Sequence, residues 1–265
     1  MLSKSRIKLI HSLAQKKGRK ESGLFVAEGP KVVGELLQAG FRARLIAATE
    51  TWSAANSQAV ADSDEFCEVS EEELRKVSFL QHPQEVLALF PMPVDQTNEG
   101  VWERFSCSQP LASGNLQLVL DGIQDPGNLG TIIRIADWFG IEDIFCSQET
   151  ADVYNPKVVQ ASMGSIARVR VVYTDLCKML ETLPDNIPVY GTLLDGEDLY
   201  TQDFEPFGLL VMGNEGNGIS PAIQRYVNRR LLIPNFPPGR PTTDSLNVAV
   251  ATAVVCAEFR KRVKR

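Results

Sequence analysis

Three separated stretches carry residue types that do chemistry: DPGNLGTIIR at 125–134, GNEGNG at 213–218 and SLN at 245–247. The first has the form of a phosphate loop running into a helix, whose unpaired N–H groups favour an anion. Arg134 interrupts the apolar run Ile132, Ile133, Ile135, Ala136, and its planar guanidinium suits a phosphate or an incipient alkoxide. No GxxxxGK[ST] pattern is present, which excludes a P-loop. The glycines at 213, 216 and 218 are spaced GxxGxG after a late strand, a poor match to a dinucleotide fingerprint. Taken singly, each loop also reads as a tight turn, and Asn128, Ser245 and Asn247 as plain helix caps.

The elements that must position these tips are legible around them. Leu116–Leu120 reads as a buried strand, 121–128 as a loop, and Leu129–Phe139 as a helix ended by Gly140. Ile144–Cys146 is the next strand, and such a strand-loop-helix-strand unit favours a parallel sheet. NPKVVQASMGS reads as a helix, VRVVY as a strand, TDLCKMLETL as a helix and IPVYGTLLD as a strand. Leu209–Met212 and Leu231–Ile233 are two further buried strands, with Ser220 and Pro221 opening a short helix between them. Leu246–Val255 reads as a helix buried against those strands. Asn214, Glu215, Asp244, Ser245 and Asn247 then converge on one sheet edge, and in open α/β sheets ligands bind at the carboxyl ends of the strands.

Ahead of this lies a smaller pattern. Residues 3–17 fit one helix, LFVAEG a strand, PKVVGELLQAG a helix from Pro30 to Gly40, and FRARLIAAT a strand. After an irregular acidic stretch come FCEVS, a strand whose Ser70 caps the helix EEELRKV, and the strand VLALF. The expected organisation is a small α/β domain over 1–90, a linker over 91–115 and a second domain over 116–265.

Of the 265 residues, 44% are hydrophobic and 23% charged, the balance of a chain with a real core. No run is long enough to cross a bilayer, and the basic start lacks an apolar signal core, so a cytoplasmic protein is expected. Five scattered cysteines and two histidines exclude a disulfide framework and give no zinc pattern, so no metal is expected. The net charge of −6 hides two basic ends. Residues 1–20 hold seven lysines and arginines and no acid, and residues 260–265 hold five; each end reads either as a phosphate contact or as a solvated helix face.

In order and spacing, NLGTIIR, then LLVMGNEGNGIS, then IP followed by SLNVAVA resembles the three motifs of the SpoU family of RNA ribose 2′-O-methyltransferases, within the SPOUT class. QASMGSIARVRV resembles the segment between the first two, and FVAEGPKVVGELLQAG resembles the small substrate-binding domain that many members carry. The likeness covers about 116–258 and departs at one point: ten residues, 235–244, separate Pro234 from Ser245, and the family's link is shorter. Arg240, within that insertion, is either an RNA contact or a solvated loop residue.

The resemblance implies an α/β fold with a C-terminal trefoil-knotted parallel-sheet domain, preceded by a small RNA-binding domain. It implies methyl transfer from S-adenosylmethionine to a ribose 2′-hydroxyl of structured RNA, ribosomal rather than transfer RNA, by a homodimer. For Arg134 the resemblance implies a base, whereas a guanidinium hardly ever loses its proton and reads better as an electrostatic clamp; Asn128 would position substrate or arginine, and Glu215 would orient Arg134 or the nucleotide. Ser245 and Asn247 would bind the ribose or the cofactor carboxylate. Thr192, Gly213, Ile233 and Leu246 would form the cofactor slot. A non-catalytic RNA-binding protein on the same fold is the rival reading; a nicotinamide oxidoreductase rests on the glycine turns alone.

Overall fold

Alternation of apolar residues over two faces builds the first sheet. In the computed structural model, which describes residues 2–93, 115–203, 205, 207–237, 240, 241, 243 and 245–263, Phe25 and Ala27 of β1 (Leu24–Glu28) enter one core while Val26 enters another, as a period of two requires. β1 pairs antiparallel with β4 (Val86–Pro91). β4 pairs antiparallel with β2 (Leu45–Ala48), which pairs parallel with β3 (Phe66–Glu68), giving the order β1-β4-β2-β3. Helices α3 (Pro30–Gln38), α4 (Glu50–Ala55) and α5 (Ser57–Asp62) follow the first two strands. α6 (Glu71–Val77) opens with a complete capping box between Ser70 and Glu73, the start that its sequence announces. The acidic stretch read as irregular holds α4 and α5, each six residues long and too short to show a helical period.

The N-terminal helix expected over 3–17 is two helices, α1 (Lys4–Ser12) and α2 (Lys16–Ser22). Gly18 lets them meet, since a Cβ there would lie 2.1 Å from the Ser12 carbonyl oxygen. Arg19, counted above among the basic end, is buried: it donates to the carbonyls of Leu13 (2.7 Å) and Ala14 (3.1 Å) and to Asp152 Oδ2 (2.7 Å).

The chain divides into two compact units, Met1–Val94 with Asp152–Arg168, and Asp95–Ala151 with Val169–Arg265. The segment 152–168, with α8 (Pro156–Ala161), thus belongs with the first sheet, where Val159 joins its core and Arg168 pairs with Glu35. Of the stretch expected as a linker, 94–114 lies outside the described residues, and so does Asp244.

The second unit is a six-stranded, wholly parallel sheet in the order β10-β8-β9-β5-β6-β7. Its strands are β5 (Leu116–Asp121), β6 (Asp143–Cys146), β7 (Arg170–Tyr173), β8 (Val189–Asp198), β9 (Gly208–Gly213) and β10 (Arg229–Leu232). All six residues of β9 and the first five of β5 are buried, as expected of central strands covered on both faces of a parallel sheet, with the polar Gln117 among the buried residues of β5. α7 (Pro126–Trp138), α9 (Leu176–Glu181), α10 (Pro221–Gln224) and α11 (Val248–Arg262) complete it. After the edge strand β10 the chain returns as α11 to pack on α7 and β9, the return that a knotted C-terminus requires. Tyr190 and Phe259 meet edge-to-face at 4.9 Å, and Arg260 donates to the carbonyls of Phe139 (2.6 Å) and Gly140 (3.2 Å) just past α7. Arg260 and Arg262 of the basic tail are thereby engaged inside the unit, Arg262 with Glu258 and the Leu199 carbonyl. No helix among the described residues is long and apolar enough to cross a membrane.

Glu28, buried at the end of β1, accepts a hydrogen bond from the Phe79 N–H (2.9 Å) and another from the Ser78 hydroxyl. Burial raises its pKa above the ordinary 4.5, against the lowering effect of those two bonds. A carboxyl raised on folding favours the folded state while protonated, and that advantage is lost as pH climbs through the folded value. Glu28→Gln keeps a neutral partner for both groups. Its melting temperature relative to wild type should rise from pH 4 to pH 8; a pH-independent difference would contradict the assignment.

Candidate active site

The carboxyl edge of the second sheet is closed by side chains reaching between turns. β5 ends at Asp121, whose Oδ2 accepts from the Ser220 N–H at 2.7 Å. The next loop ends at Asp125, whose Oδ1 accepts from the Asn128 N–H at 2.8 Å and so caps α7, with Pro126 in the first helical position. The helix therefore starts before Leu129, and Asn128 lies in its first turn and is not its cap. That frees both ends of the Asn128 amide. Its Nδ2 donates to Glu215 Oε1 at 2.9 Å, and its Oδ1 accepts from Asn247 Nδ2 at 2.9 Å.

β9 enters this edge through a turn that only glycine permits. At Gly213 a Cβ would stand 2.2 Å from backbone atoms of Gly218 and Ile219. Asn214 and Gly218 exchange N–H to carbonyl bonds of 2.9 Å each. The Asn214 side chain then accepts from the N–H groups of Gly216 (2.9 Å) and Asn217 (3.1 Å) and donates to the Gly122 carbonyl at 2.7 Å. Glu215, carried by this turn, also receives longer bonds of 3.4 Å from the N–H groups of Gln124 and Asp125. Its carboxylate is thus spent on the loop before α7 and on Asn128, and it does not orient Arg134 of its own chain.

Asn247 has two tasks. Its Oδ1 caps α11 by accepting from Ala249 (3.0 Å) and Val250 (3.3 Å), while its Nδ2 holds Asn128. Ser245 is not a cap. It is exposed two residues earlier, its carbonyl accepts from the Thr243 hydroxyl, and its own hydroxyl has no hydrogen bond among the described residues.

Arg134 stands apart from this relay. It is exposed on α7 in one stripe with Thr131 and Trp138, and among the described residues it makes no hydrogen bond or ion pair. Six residues beyond Asn128, at about 100° per residue, it faces well away from the Asn128 side. Of the residues assigned to the cofactor, Gly213 ends β9 and Ile233 directly follows β10. Thr192, on β8, contacts the Met212 sulfur at 3.7 Å. Leu246, immediately before Asn247, is 49% exposed. Asp121 and Asp125 were not singled out from sequence; the Asp125-Pro126 pair, a cap followed by proline, is the signal that marks the helix start.

Comparison with known proteins places this geometry among relatives. A family model described as the SpoU rRNA Methylase family matches residues 115–257, and one described as the MRM3-like substrate binding domain matches residues 4–88. The chain is 31% identical to the 23S rRNA (guanosine(2553)-2′-O)-methyltransferase RlmP of Bacillus subtilis (strain 168), over 94% of this chain and 93% of that protein. It is 30% identical to the 23S rRNA (uridine(2479)-2′-O)-methyltransferase of Streptomyces viridochromogenes, over 68% of this chain and 62% of that one. Among solved structures, the AdoMet-bound rRNA methyltransferase of Sinorhizobium meliloti superposes with a TM-score of 0.84 at 29% identity, covering 100% of this chain and 97% of that one.

The relay predicts energetic coupling between distant turns. In a double-mutant cycle, Asn128→Ala and Asn247→Ala should show a coupling of about 0.5–1.5 kcal/mol in urea denaturation of the second unit. Strict additivity would mean that the bond between them contributes nothing.

Proposed function

Because the chain belongs to the SpoU rRNA methylase family, we propose that it methylates a ribose 2′-hydroxyl of ribosomal RNA with S-adenosylmethionine as donor. The observation that carries this reading is the Glu215–Asn128–Asn247 relay, in which one residue from each of the three motifs is hydrogen-bonded to the next. The first unit, which matches a substrate-binding family model, supports RNA as the partner. A cytoplasmic location follows from the same reading.

The residues at the sheet edge fit the cofactor. Adenine asks for an apolar slot, and the partly exposed Leu246 and Ile233 offer apolar walls for one, with the Thr192 hydroxyl beside Met212 on the neighbouring strands. When bound, S-adenosylmethionine supplies an activated methyl group on a sulfonium centre. The protein's tasks are then to align the hydroxyl with that carbon and to stabilise negative charge as the hydroxyl proton leaves. A guanidinium holds its proton at any ordinary pH, so Arg134 acts as a fixed positive charge and not as a base. Asn128, Glu215 and Asn247 are positioning residues that hold the two helix starts and the glycine turn in register. The unengaged Ser245 hydroxyl is available to the ribose.

Arg134 reaches a site of this kind through a partner. α7 and α11 pack side by side, and between them they expose Trp138 at 83% and Val250 at 51%. An apolar face of this composition calls for a cover, and a two-fold homodimer covers it with the same face of a second copy. In that arrangement the Arg134 of one protomer serves the relay of the other.

The test is methyl incorporation from labelled S-adenosylmethionine into ribosomal RNA. Wild type should label the RNA, and Arg134→Ala should lose about 100-fold or more in kcat while still binding the cofactor by calorimetry. Equal incorporation by both would remove Arg134 from the chemistry. No incorporation together with a silent cofactor titration would favour an RNA-binding protein that has kept the fold without the reaction.

A further inference from the structure

The inserted loop between β10 and α11 carries two side chains that the rest of the protein does not use. Phe236 is 87% exposed, the highest value among the exposed large hydrophobic residues described. A few residues on, Arg240 is exposed, and its guanidinium makes no hydrogen bond or ion pair among the described residues. The backbone around them is tied. Asn235 Nδ2 donates to the Arg240 carbonyl at 3.0 Å, and the Arg240 N–H donates to the Pro237 carbonyl at 3.1 Å. These two bonds tie the chain at Asn235 and Pro237 to the backbone of Arg240, so the residues that carry the aromatic ring and the cation are anchored to one short stretch of the loop.

The position of that stretch restricts its use. The loop leaves the sheet at Leu232, passes Ile233, and ends at Asn247, which is bonded to Asn128. At no more than about 3.6 Å per residue, the Phe236 Cα lies within about 11 Å of the Ile233 Cα. A ring and a guanidinium placed in water beside a site for ribose match the two chemistries of a single nucleic-acid strand: a base face to stack on, and a phosphate to pair.

We propose that Phe236 and Arg240 form a recognition pair for a nucleotide flanking the target ribose, with the ring stacking on an unpaired base and the guanidinium holding an adjacent phosphate. The proposal rests on the methyl-transfer reading above and adds to it a determinant of substrate choice. It requires the target to lie in a loop or bulge, since a base inside a duplex offers no free face.

Steady-state kinetics on ribosomal RNA with the full-length protein tests it. Phe236→Leu, which keeps an apolar side chain without a π face, should raise the RNA KM about tenfold, whereas Phe236→Tyr should stay within about twofold of wild type and the affinity for S-adenosylmethionine should be unchanged in both. Arg240→Gln should raise the RNA KM and lower the slope of log KM against log salt by about one. Equal KM values for the leucine variant and wild type, or an unchanged salt slope for the glutamine variant, would overturn the pairing. A leucine variant that sediments as a monomer where wild type is a dimer would overturn it too, assigning Phe236 to the subunit interface. If wild type transfers no methyl group to RNA, the function proposed above falls, and this inference with it; active wild type with indifferent variants sinks this inference alone.

Discussion

A single carboxamide ties the edge of the second sheet together. Asn128 donates to Glu215 and accepts from Asn247, so a loop after β5, a turn after β9 and the start of α11 are held by one side chain with a donor at one end and an acceptor at the other. The arrangement depends on a register set nearby. Asp125 caps α7 and takes over the task that would otherwise occupy Asn128, and the turn at Gly213 brings Glu215 within reach only because no side chain stands in its way. Aspartate at 128 would set a second carboxylate against Glu215, and leucine would offer neither donor nor acceptor.

The relay is as firm as the helix that carries its third member. α11 is anchored along its length: Asn247 caps its start, Thr252 and Val255 are buried in the unit, Phe259 packs on Tyr190, and Arg260 takes up the carbonyls just past the far end of α7. A guanidinium at a helix C-terminus compensates both the unpaired carbonyls and the negative end of the helix dipole. Burial lowers the Arg260 pKa. Both ends of α7 are thus fixed, one through Asn128 and the other through Arg260, while its outward stripe with Thr131, Arg134 and Trp138 is left bare.

Much of this was legible before any coordinates. The strands β5 and β9 are mostly apolar runs that lead into glycine turns, whereas β10 was legible only in its apolar half: the pattern marks Leu231–Ile233, and the strand is Arg229–Leu232 because its pairing with β8 begins at two arginines that no apolar pattern marks. The capping box of α6 and the proline start of α3 follow from local chemistry alone. What escaped was set by packing at a distance. The division of the N-terminal helix at Ser12 depends on Gly18 meeting a carbonyl, and the burial of Arg19 depends on Asp152, more than a hundred residues away. Periodicity marks a helix at 156–161 but carries no information on which core receives it, so its place with the first unit was invisible. At the candidate site, the sequence singled out Asn128, Glu215 and Asn247 but not who bonds whom, and it could not reveal that Arg134 faces away from them.

That outward face makes subunit complementation the most direct test of the central claim, that the relay of one protomer is completed by the arginine of its partner. Arg134→Ala and Glu215→Ala are combined in one heterodimer, purified by two different tags, and assayed for methyl transfer to ribosomal RNA. With Arg134 serving its partner, one of the two sites in the mixed dimer has an intact relay and an intact guanidinium, so activity returns although each parent homodimer is inactive. If the arginine instead serves its own chain, both sites remain defective, and a mixed dimer as inactive as its parents would contradict the account.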